Sequence, residues 1–200
     1  MPVLRPSVIL LGVLALVGSG LAAHAAFAGD PVALTVAQGS GECAVSWQKA
    51  GVTFKPLTAG QAPSSYALSD FTGTVTVDLG EKTVGDVQAQ FKGGFTLTDA
   101  AGHLVQVSDG QAAASSGNVT YMVKTSGDPN GERLPVHTFA SPSQFTPEVA
   151  STDPPKVTVR ASGVPAAFAP EFARALNGTF GPGTAEAGAP FGTCGATVSN

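Results

Sequence analysis

The sequence has little charge, and its charged residues do not cluster. Charged residues make up 12% of the 200 residues, with 10 Lys and Arg against 14 Asp and Glu, for a formal net charge of -4. The phosphates of a nucleic acid and the anionic surface of a membrane both require concentrated positive charge, which this chain does not supply. We therefore expect no nucleic acid partner and no binding to a membrane surface.

Sequence motifs of the common enzyme classes are also missing. The chain has no G-x-S-x-G elbow, no H-E-x-x-H zinc motif, no phosphate-binding glycine loop and no dinucleotide fingerprint. His103 and His137 are the only histidines beyond the predicted leader, so few bases are available to activate a Ser or Thr hydroxyl. We predict a non-enzymatic protein with no catalytic residues and no metal site. A small secreted hydrolase is the competing hypothesis.

The first 28 residues have the pattern of a signal peptide. Arg5 and the amino terminus form a short positive region, residues 8–17 are almost entirely apolar, and Ala26-Phe27-Ala28 predicts cleavage before Gly29. The apolar run is too short for a comfortable membrane span. We expect residues 1–28 to be removed, and residues 29–200 to form one secreted, extracellular β domain without stable membrane insertion.

Cysteine is scarce as well, because Cys43 and Cys194 are the only two. An isolated pair in an oxidising compartment most often forms one disulfide. Neither cysteine has a second Cys or a His at metal-ligand spacing. The sequence therefore predicts a Cys43–Cys194 disulfide that closes a loop of about 150 residues.

Apolar and polar residues alternate in several segments, which is typical of β-strands with one buried face. Residues 71–79 are the clearest example, with Phe71, Val75 and Val77 on one side. Gly93-Gly94 predicts a bulge or bend inside a longer strand, and residues 99–102 predict a hairpin turn. Eight or nine such strands predict an all-β fold, a mostly antiparallel sandwich or barrel.

One short helix is expected near residues 170–177. Pro170 suits the first helical position, Glu171 lies in the first turn, and Asn177-Gly178 predicts the end of the helix. By contrast, residues 126–155 contain six prolines. Because proline cannot donate to a strand ladder, we predict that this stretch is mostly loop or sheet edge.

Four side chains are candidates for binding a ligand. Tyr and His side chains both ligate iron-bearing cofactors, and the chain beyond the leader offers Tyr66, Tyr121, His103 and His137. The alternative for each of these residues is a purely structural role in the core or at a strand edge.

Four segments occur in a recognisable order between about residue 45 and residue 191. They are Ser46-Trp47-Gln48-Lys49; Phe91-Lys92-Gly93 with Phe95, Leu97, Gly102, Leu104 and Ser108-Asp109; Gly163-Val164-Pro165; and Ala175-Leu176-Asn177-Gly178-Thr179-Phe180 with a tail from Gly183-Thr184 to Phe191. In these segments the chain resembles the haem-transport-associated domain family of actinobacterial secreted and cell-surface proteins. The resemblance implies an all-β binding module with one helix, and it makes haem a candidate cofactor.

The ligands of that family have no direct counterpart here. Residues 48–62, where the resemblance places a haem-ligating tyrosine, contain none, and its Gly-His would fall at Asp99-Ala100, three residues before His103. We therefore predict a secreted, non-enzymatic binding module whose partner is an unassigned small molecule or a surface protein. A haem-binding or haem-uptake protein that uses Tyr66 or Tyr121 with His103 or His137 is the first alternative, and the hydrolase is the second.

Overall fold

The structure, a computed structural model, describes residues 31–139 and 144–200, so the predicted leader lies outside the described residues. It is 67% strand with a single short α-helix, which confirms the predicted fold class. The strands are β1 (Pro31–Val36), β2 (Gln38–Val45), β3 (Val52–Pro56), β4 (Ser65–Asp78), β5 (Thr83–Asp99), β6 (Leu104–Ala113), β7 (Asn118–Thr125), β8 (Asp128–Phe139), β9 (Phe145–Thr152), β10 (Pro155–Phe168) and β11 (Pro190–Ser199), and the helix is α1 (Pro170–Phe180).

Eight of the described strands pair into a closed antiparallel ring. The order around the ring is β4, β2, β11, β10, β8, β7, β6 and β5, and β5 pairs with β4 again. The three other strands, β1, β3 and β9, extend the sheet from parts of β4, β5 and β10. Because the pairing closes, alternate residues of the ring strands point into one shared interior, as in a barrel.

Bulges bend the long strands at the same level of the sheet. The predicted bulge at Gly93-Gly94 is confirmed by a register shift between Phe91 and Gly94 in the pairing of β5 with β6. Gly94 has a φ of 146°, and a Cβ there would lie 1.9 Å from the carbonyl oxygen of Val107, so this close strand approach requires glycine. On one side of the bulge β5 pairs with β4, and on the other side it pairs with β3.

The proline-rich stretch is more regular than the sequence predicts. Residues 126–155 contain β8 and β9 rather than mostly loop. The expectation of a sheet edge holds, because β9 pairs only with β10 and β8 meets β10 only at its last three residues, His137 to Phe139. Pro135 is tolerated at a register shift between β7 and β8, where the ladder is interrupted.

The helix is also longer than predicted. The α1 helix continues through Asn177 and Gly178 and ends at Phe180, followed by Gly181 with a φ of 100°. Asn177 lies inside the helix, and its side-chain oxygen accepts hydrogen bonds from the backbone amides of Thr184 and Ala185, at 2.8 and 3.1 Å. In the described part of the chain, no helix has the length and apolar character needed to cross a membrane.

Two of the segments that carry the family resemblance contact each other. Lys49 donates a hydrogen bond from Nζ to the carbonyl of Gly183 at 2.8 Å, and the hydroxyl of Ser46 donates to the carbonyl of Phe191 at 3.3 Å. The ring of Trp47 packs edge-on against Phe168, with centroids 5.6 Å apart. The Ser46–Lys49 segment therefore holds the chain that follows α1 in place.

The predicted disulfide is present between Cys43 and Cys194. The two residues are direct partners in the pairing of β2 with β11, so the bond reinforces a contact that the sheet already makes. A disulfide of this kind fits an extracellular protein, because an oxidising environment maintains it.

Candidate functional site

The interior of the ring contains a cavity of about 110 Å³ with an almost wholly apolar lining. Among the described residues that line it, only Tyr121 and His137 have polar side chains, and none is charged. The Cys43–Cys194 disulfide forms part of the wall. Strands from all around the ring supply the remaining walls, including Leu68, Phe71, Phe91, Val159 and Val164.

Three of the four predicted ligand residues meet at one edge of this cavity. The hydroxyl of Tyr66 lies 2.9 Å from Nε2 of His137 and 3.3 Å from the hydroxyl of Tyr121. The three residues come from β4, β7 and β8, and their exposed fractions are 0%, 1% and 1% for Tyr66, Tyr121 and His137. The ring topology thus assembles a buried polar cluster from positions far apart in the sequence.

This Tyr66–Tyr121–His137 cluster separates the cavity from a layer of packed aromatic rings. On one side Tyr66 packs against Phe54 and Phe95, with ring centroids 6.4 and 5.1 Å away. On the cavity side Tyr121 meets Phe91 edge-on at 5.7 Å. Tyr66 does not line the cavity, whereas Tyr121 and His137 do.

One atom of the cluster lacks a hydrogen-bond partner. Nδ1 of His137 is buried and unpaired among the described residues, while Nε2 is bonded to Tyr66. An unsatisfied buried donor or acceptor costs about 1–3 kcal/mol. His137 lines the cavity, but Nδ1 itself is almost fully covered by neighbouring protein atoms.

Water is a poor occupant of this cavity. A buried water normally makes two to four hydrogen bonds. The described lining is almost wholly apolar, and the hydroxyl of Tyr121 already contacts Tyr66. The cavity is therefore an apolar void that suits a small apolar ligand better than water.

Burial keeps every titratable group of the cluster uncharged. Burial lowers the pKa of His137 to about 3, so its imidazole is neutral at neutral pH. Burial also raises the pKa of Tyr66, with a further rise caused by Tyr121, and it raises the pKa of Tyr121 itself. The site consequently presents no charge to a ligand.

His103 lies apart from the cluster. It follows the turn between β5 and β6, its side chain is 54% exposed, and its Nδ1 lies 2.8 Å from the carboxylate of Asp99. The hydrogen bond from His103 lowers the pKa of Asp99, whose other oxygen accepts the backbone amides of Ala101 and His103. The structure therefore places His103 in a turn motif on the surface.

Among the described residues, neither imidazole is hydrogen-bonded to a Ser or Thr hydroxyl, the usual pairing of a nucleophile with its base. His137 bonds to a phenol, and His103 bonds to a carboxylate. The nearby Ser126 uses its hydroxyl oxygen to accept the amide of Leu104 at 2.6 Å. Within residues 31–139 and 144–200, no three His, Cys, Asp or Glu side chains gather into a group that could hold a metal ion.

The polar residues of the site could be predicted from the sequence, but the small residues that create its space were missed. Five alanines on described strands line the cavity, Ala89, Ala112, Ala161, Ala166 and Ala196. Each stands at a position where a larger apolar residue would fill the interior. Alanine on the buried face of several strands is the sequence signal that could have indicated a cavity.

The comparisons with known proteins bear on the fold. No protein-family profile matches the chain, and no curated protein matches it. Among solved structures, the C-terminal domain of HtaA from Corynebacterium glutamicum is similar, with a TM-score of 0.51 and 15% sequence identity over 83% of this chain and 98% of that chain. At this identity the similarity concerns the fold alone, and to that extent it supports the family resemblance of the sequence.

Proposed function

We propose that this protein is a secreted, non-enzymatic binding module of HtaA-like architecture whose ligand site is the internal cavity. The observation that carries the proposal is the apolar cavity inside the ring, with walls from all eight ring strands. A void forfeits packing contacts, which a bound apolar ligand would restore. A small-molecule partner is preferred over a surface protein because the site is inside the ring.

The cluster has chemistry that suits binding more than turnover. A neutral imidazole that is hydrogen-bonded to Tyr66 is already engaged, and Tyr66 has a raised pKa that disfavours its use as a nucleophile at neutral pH. The exposed His103–Asp99 pair is part of a turn. The hydrolase alternative would require a Ser or Thr hydroxyl to move beside one of the two imidazoles.

Haem is the second candidate, favoured by one observation and opposed by two. Tyrosine and histidine both ligate haem iron, and the Tyr66 hydroxyl lies 2.9 Å from Nε2 of His137. However, the cavity of about 110 Å³ is far below the 300–1,000 Å³ of sites for drug-sized ligands. No described residue on its lining is Lys or Arg, so the two propionates of haem lack cationic partners. The residues as arranged do not fit haem.

A haemin titration tests this conclusion. We expect the Soret band of haemin to show no saturable change near stoichiometric addition at neutral pH, and the variants Tyr66→Phe and His103→Ala to give the same spectra as the parent. The parallel variants distinguish iron ligation in the cluster from ligation at the surface. A stoichiometric Soret change that disappears in Tyr66→Phe would make haem capture the leading function, and one that disappears in His103→Ala would move the site to the β5–β6 turn.

A cavity-filling variant tests the proposed site directly. At about five times its dissociation constant, benzene should raise the free energy of unfolding of the parent protein by about 1 kcal/mol. The change Ala166→Leu should abolish this effect, because Ala166 lines the cavity and is 4% exposed. Denaturant unfolding with and without benzene provides the measurement.

The neighbouring residue is the matched control. Ala167 lies on the same strand but is absent from the cavity lining, so Ala167→Leu should keep the stabilisation by benzene. The smaller change Ala166→Val covers the case in which Leu overpacks the core. If benzene fails to stabilise the parent, or stabilises Ala166→Leu and Ala166→Val equally well, the cavity is not the ligand site.

A further inference from the structure

We infer that the cavity selects a hydrocarbon ligand, a single-ring molecule without polar or charged substituents, of which benzene and toluene are examples. The inference rests on the proposed function, because it takes the cavity as the ligand site. It adds the class of ligand, which follows from the state of the polar atoms in the walls, the charge of the walls and the size of the void.

The polar side chains of the walls offer no free hydrogen-bonding atom to a ligand. Among the described lining residues these side chains are Tyr121 and His137. The hydroxyl of Tyr121 and Nε2 of His137 both contact the hydroxyl of Tyr66, at 3.3 and 2.9 Å. The second nitrogen, Nδ1 of His137, is almost fully covered by protein atoms. A hydroxyl group on a ligand would therefore lose its hydrogen bonds to water without finding replacements.

The backbone of the walls is directed away from the interior. In a strand, the N–H and C=O groups point along the sheet toward neighbouring strands, and the side chains point to its two faces. Val159 in the cavity wall is an example, because it is opposite Val198 of β11 on one side and Pro147 of β9 on the other. The interior of the ring is therefore coated by side chains.

The walls also exclude charged ligands. The described lining contains no Asp, Glu, Lys or Arg, and burial lowers the pKa of His137 so that its imidazole is neutral at neutral pH. Transfer of an ionised group into such a site is costly without a charged partner. Carboxylates, amines and phosphates are therefore poor ligands.

The size of the void limits the ligand to a single ring. An apolar cavity of about 150 Å³ engineered in another protein stays dry and binds benzene, and the cavity here measures about 110 Å³. Aromatic walls at Phe71, Phe91 and Tyr121 offer faces and edges against which a ring packs well. Fused ring systems exceed this space.

The experiment compares toluene with phenol, two molecules of nearly the same shape in which a methyl group replaces a hydroxyl group. Calorimetric titration of the disulfide-bonded protein should give an affinity for toluene about five- to 150-fold higher than for phenol, the range expected when one buried hydroxyl loses its hydrogen bonds. Naphthalene, with two fused rings, should bind at least tenfold more weakly than toluene, on the order of one kilocalorie-scale packing penalty.

The methyl groups of alanine report where the ligand binds. In protein labelled with carbon-13 at these methyl groups, toluene should shift the resonance of Ala166, which lines the cavity, and leave that of Ala167 nearly unchanged, since Ala167 is absent from the lining.

Two variants of β10 test whether the lack of polar partners causes the preference. Val159→Thr places a hydroxyl on the cavity wall and should reduce the preference for toluene over phenol, because the phenol hydroxyl gains a partner. Val157→Thr is the matched control, since Val157 and Val159 are both 4% exposed but Val157 lies outside the cavity lining. It should keep the preference of the parent. Should Val159→Thr fail to fold, the affinities of the unmodified protein for toluene, phenol and naphthalene decide the question.

The outcomes distinguish this inference from the proposed function. If toluene shifts Ala166 but phenol or naphthalene binds as tightly as toluene, the inference is overturned and the cavity remains the ligand site. A preference for toluene that Val159→Thr retains in full also overturns it, because missing polar partners would then not be the cause. Failure of benzene, toluene and phenol alike to bind overturns the proposed function together with this inference.

Discussion

Lowering the pH from 7 to about 4.5 is expected to reduce the free energy of unfolding by about 2–3 kcal/mol, mainly through His137. Burial lowers the pKa of this imidazole to about 3 in the folded protein, whereas an unfolded histidine has a pKa of about 6.5. Below about pH 6.5 the imidazole of His137 therefore binds a proton in the unfolded chain but stays unprotonated in the folded chain. Each pH unit in this window costs about 1.4 kcal/mol.

The direction of its pKa shift and the pH range in which stability changes distinguish His137 from the other groups with shifted pKa values. A depressed histidine pKa contributes stability that is complete above about pH 6.5 and is lost as the pH falls toward 3. Tyr66 and Tyr121, which contact His137, have raised pKa values and stay protonated throughout. The lowered pKa values of Asp99 and Asp109 place their effects at more acidic pH, near and below the ordinary range of a carboxylate.

Urea unfolding at pH 7, 5.5 and 4.5 measures this effect. The non-titrating variant His137→Gln should show a much flatter dependence on pH over this range, and the surface control His103→Gln should follow the parent protein. Equal slopes for the parent and His137→Gln would show that the imidazole is not held neutral by burial.

Much of the fold could be predicted from local pattern, because a strand with one buried face repeats every two residues. In β4, Phe71, Val75 and Val77 are buried while Thr72 and Thr74 are exposed, as the alternation predicts. The glycine pair of β5 was recognisable for the same local reason, since close strand approach excludes a side chain. Proline misled the prediction for β8 and β9, because Pro135 and Pro147 occupy positions that the pairing tolerates.

The candidate site was less predictable, because it depends on which strands become neighbours across the ring. Tyr66 and His137 are 71 residues apart and belong to β4 and β8, which do not pair with each other. The sequence supplied the candidates but gave no reason to join these two and to leave His103 outside. The difference arises from strand order, which local alternation does not determine.

Loss of the Cys43–Cys194 disulfide should have the largest effect on stability of any single change considered. The bond joins residues separated by 151 positions, and in the chain-entropy treatment closure of a loop this long restricts the unfolded chain by about 5 kcal/mol. We expect Cys43→Ser to lower the free energy of unfolding by about 3–5 kcal/mol. Denaturant unfolding of the oxidised parent, the reduced parent and the variant gives the comparison.

The fold itself should survive this change. The pairing of β2 with β11 extends on both sides of the disulfide, from Gly192 opposite Val45 to Ser199 opposite Gln38, so backbone hydrogen bonds close the ring without it. The buried aromatic layer, which includes Phe95, Phe172 and Phe191, lies outside the cavity that the disulfide lines. We therefore expect the variant to keep a cooperative transition and a native near-ultraviolet circular dichroism spectrum.

The choice of replacement residue separates two effects on stability, the loss of the cross-link and the addition of a buried polar group. Serine at position 43 would bring a hydroxyl to an apolar wall, whereas the double variant Cys43→Ala with Cys194→Ala removes the bond without adding a polar group. The double variant should lose about as much stability as the reduced parent, and Cys43→Ser should lose about 1 kcal/mol more if its hydroxyl stays unpaired. A double variant that is wholly unfolded at room temperature would show that the ring depends on the covalent bond, because neither its strand pairing nor its core would then suffice to hold it closed.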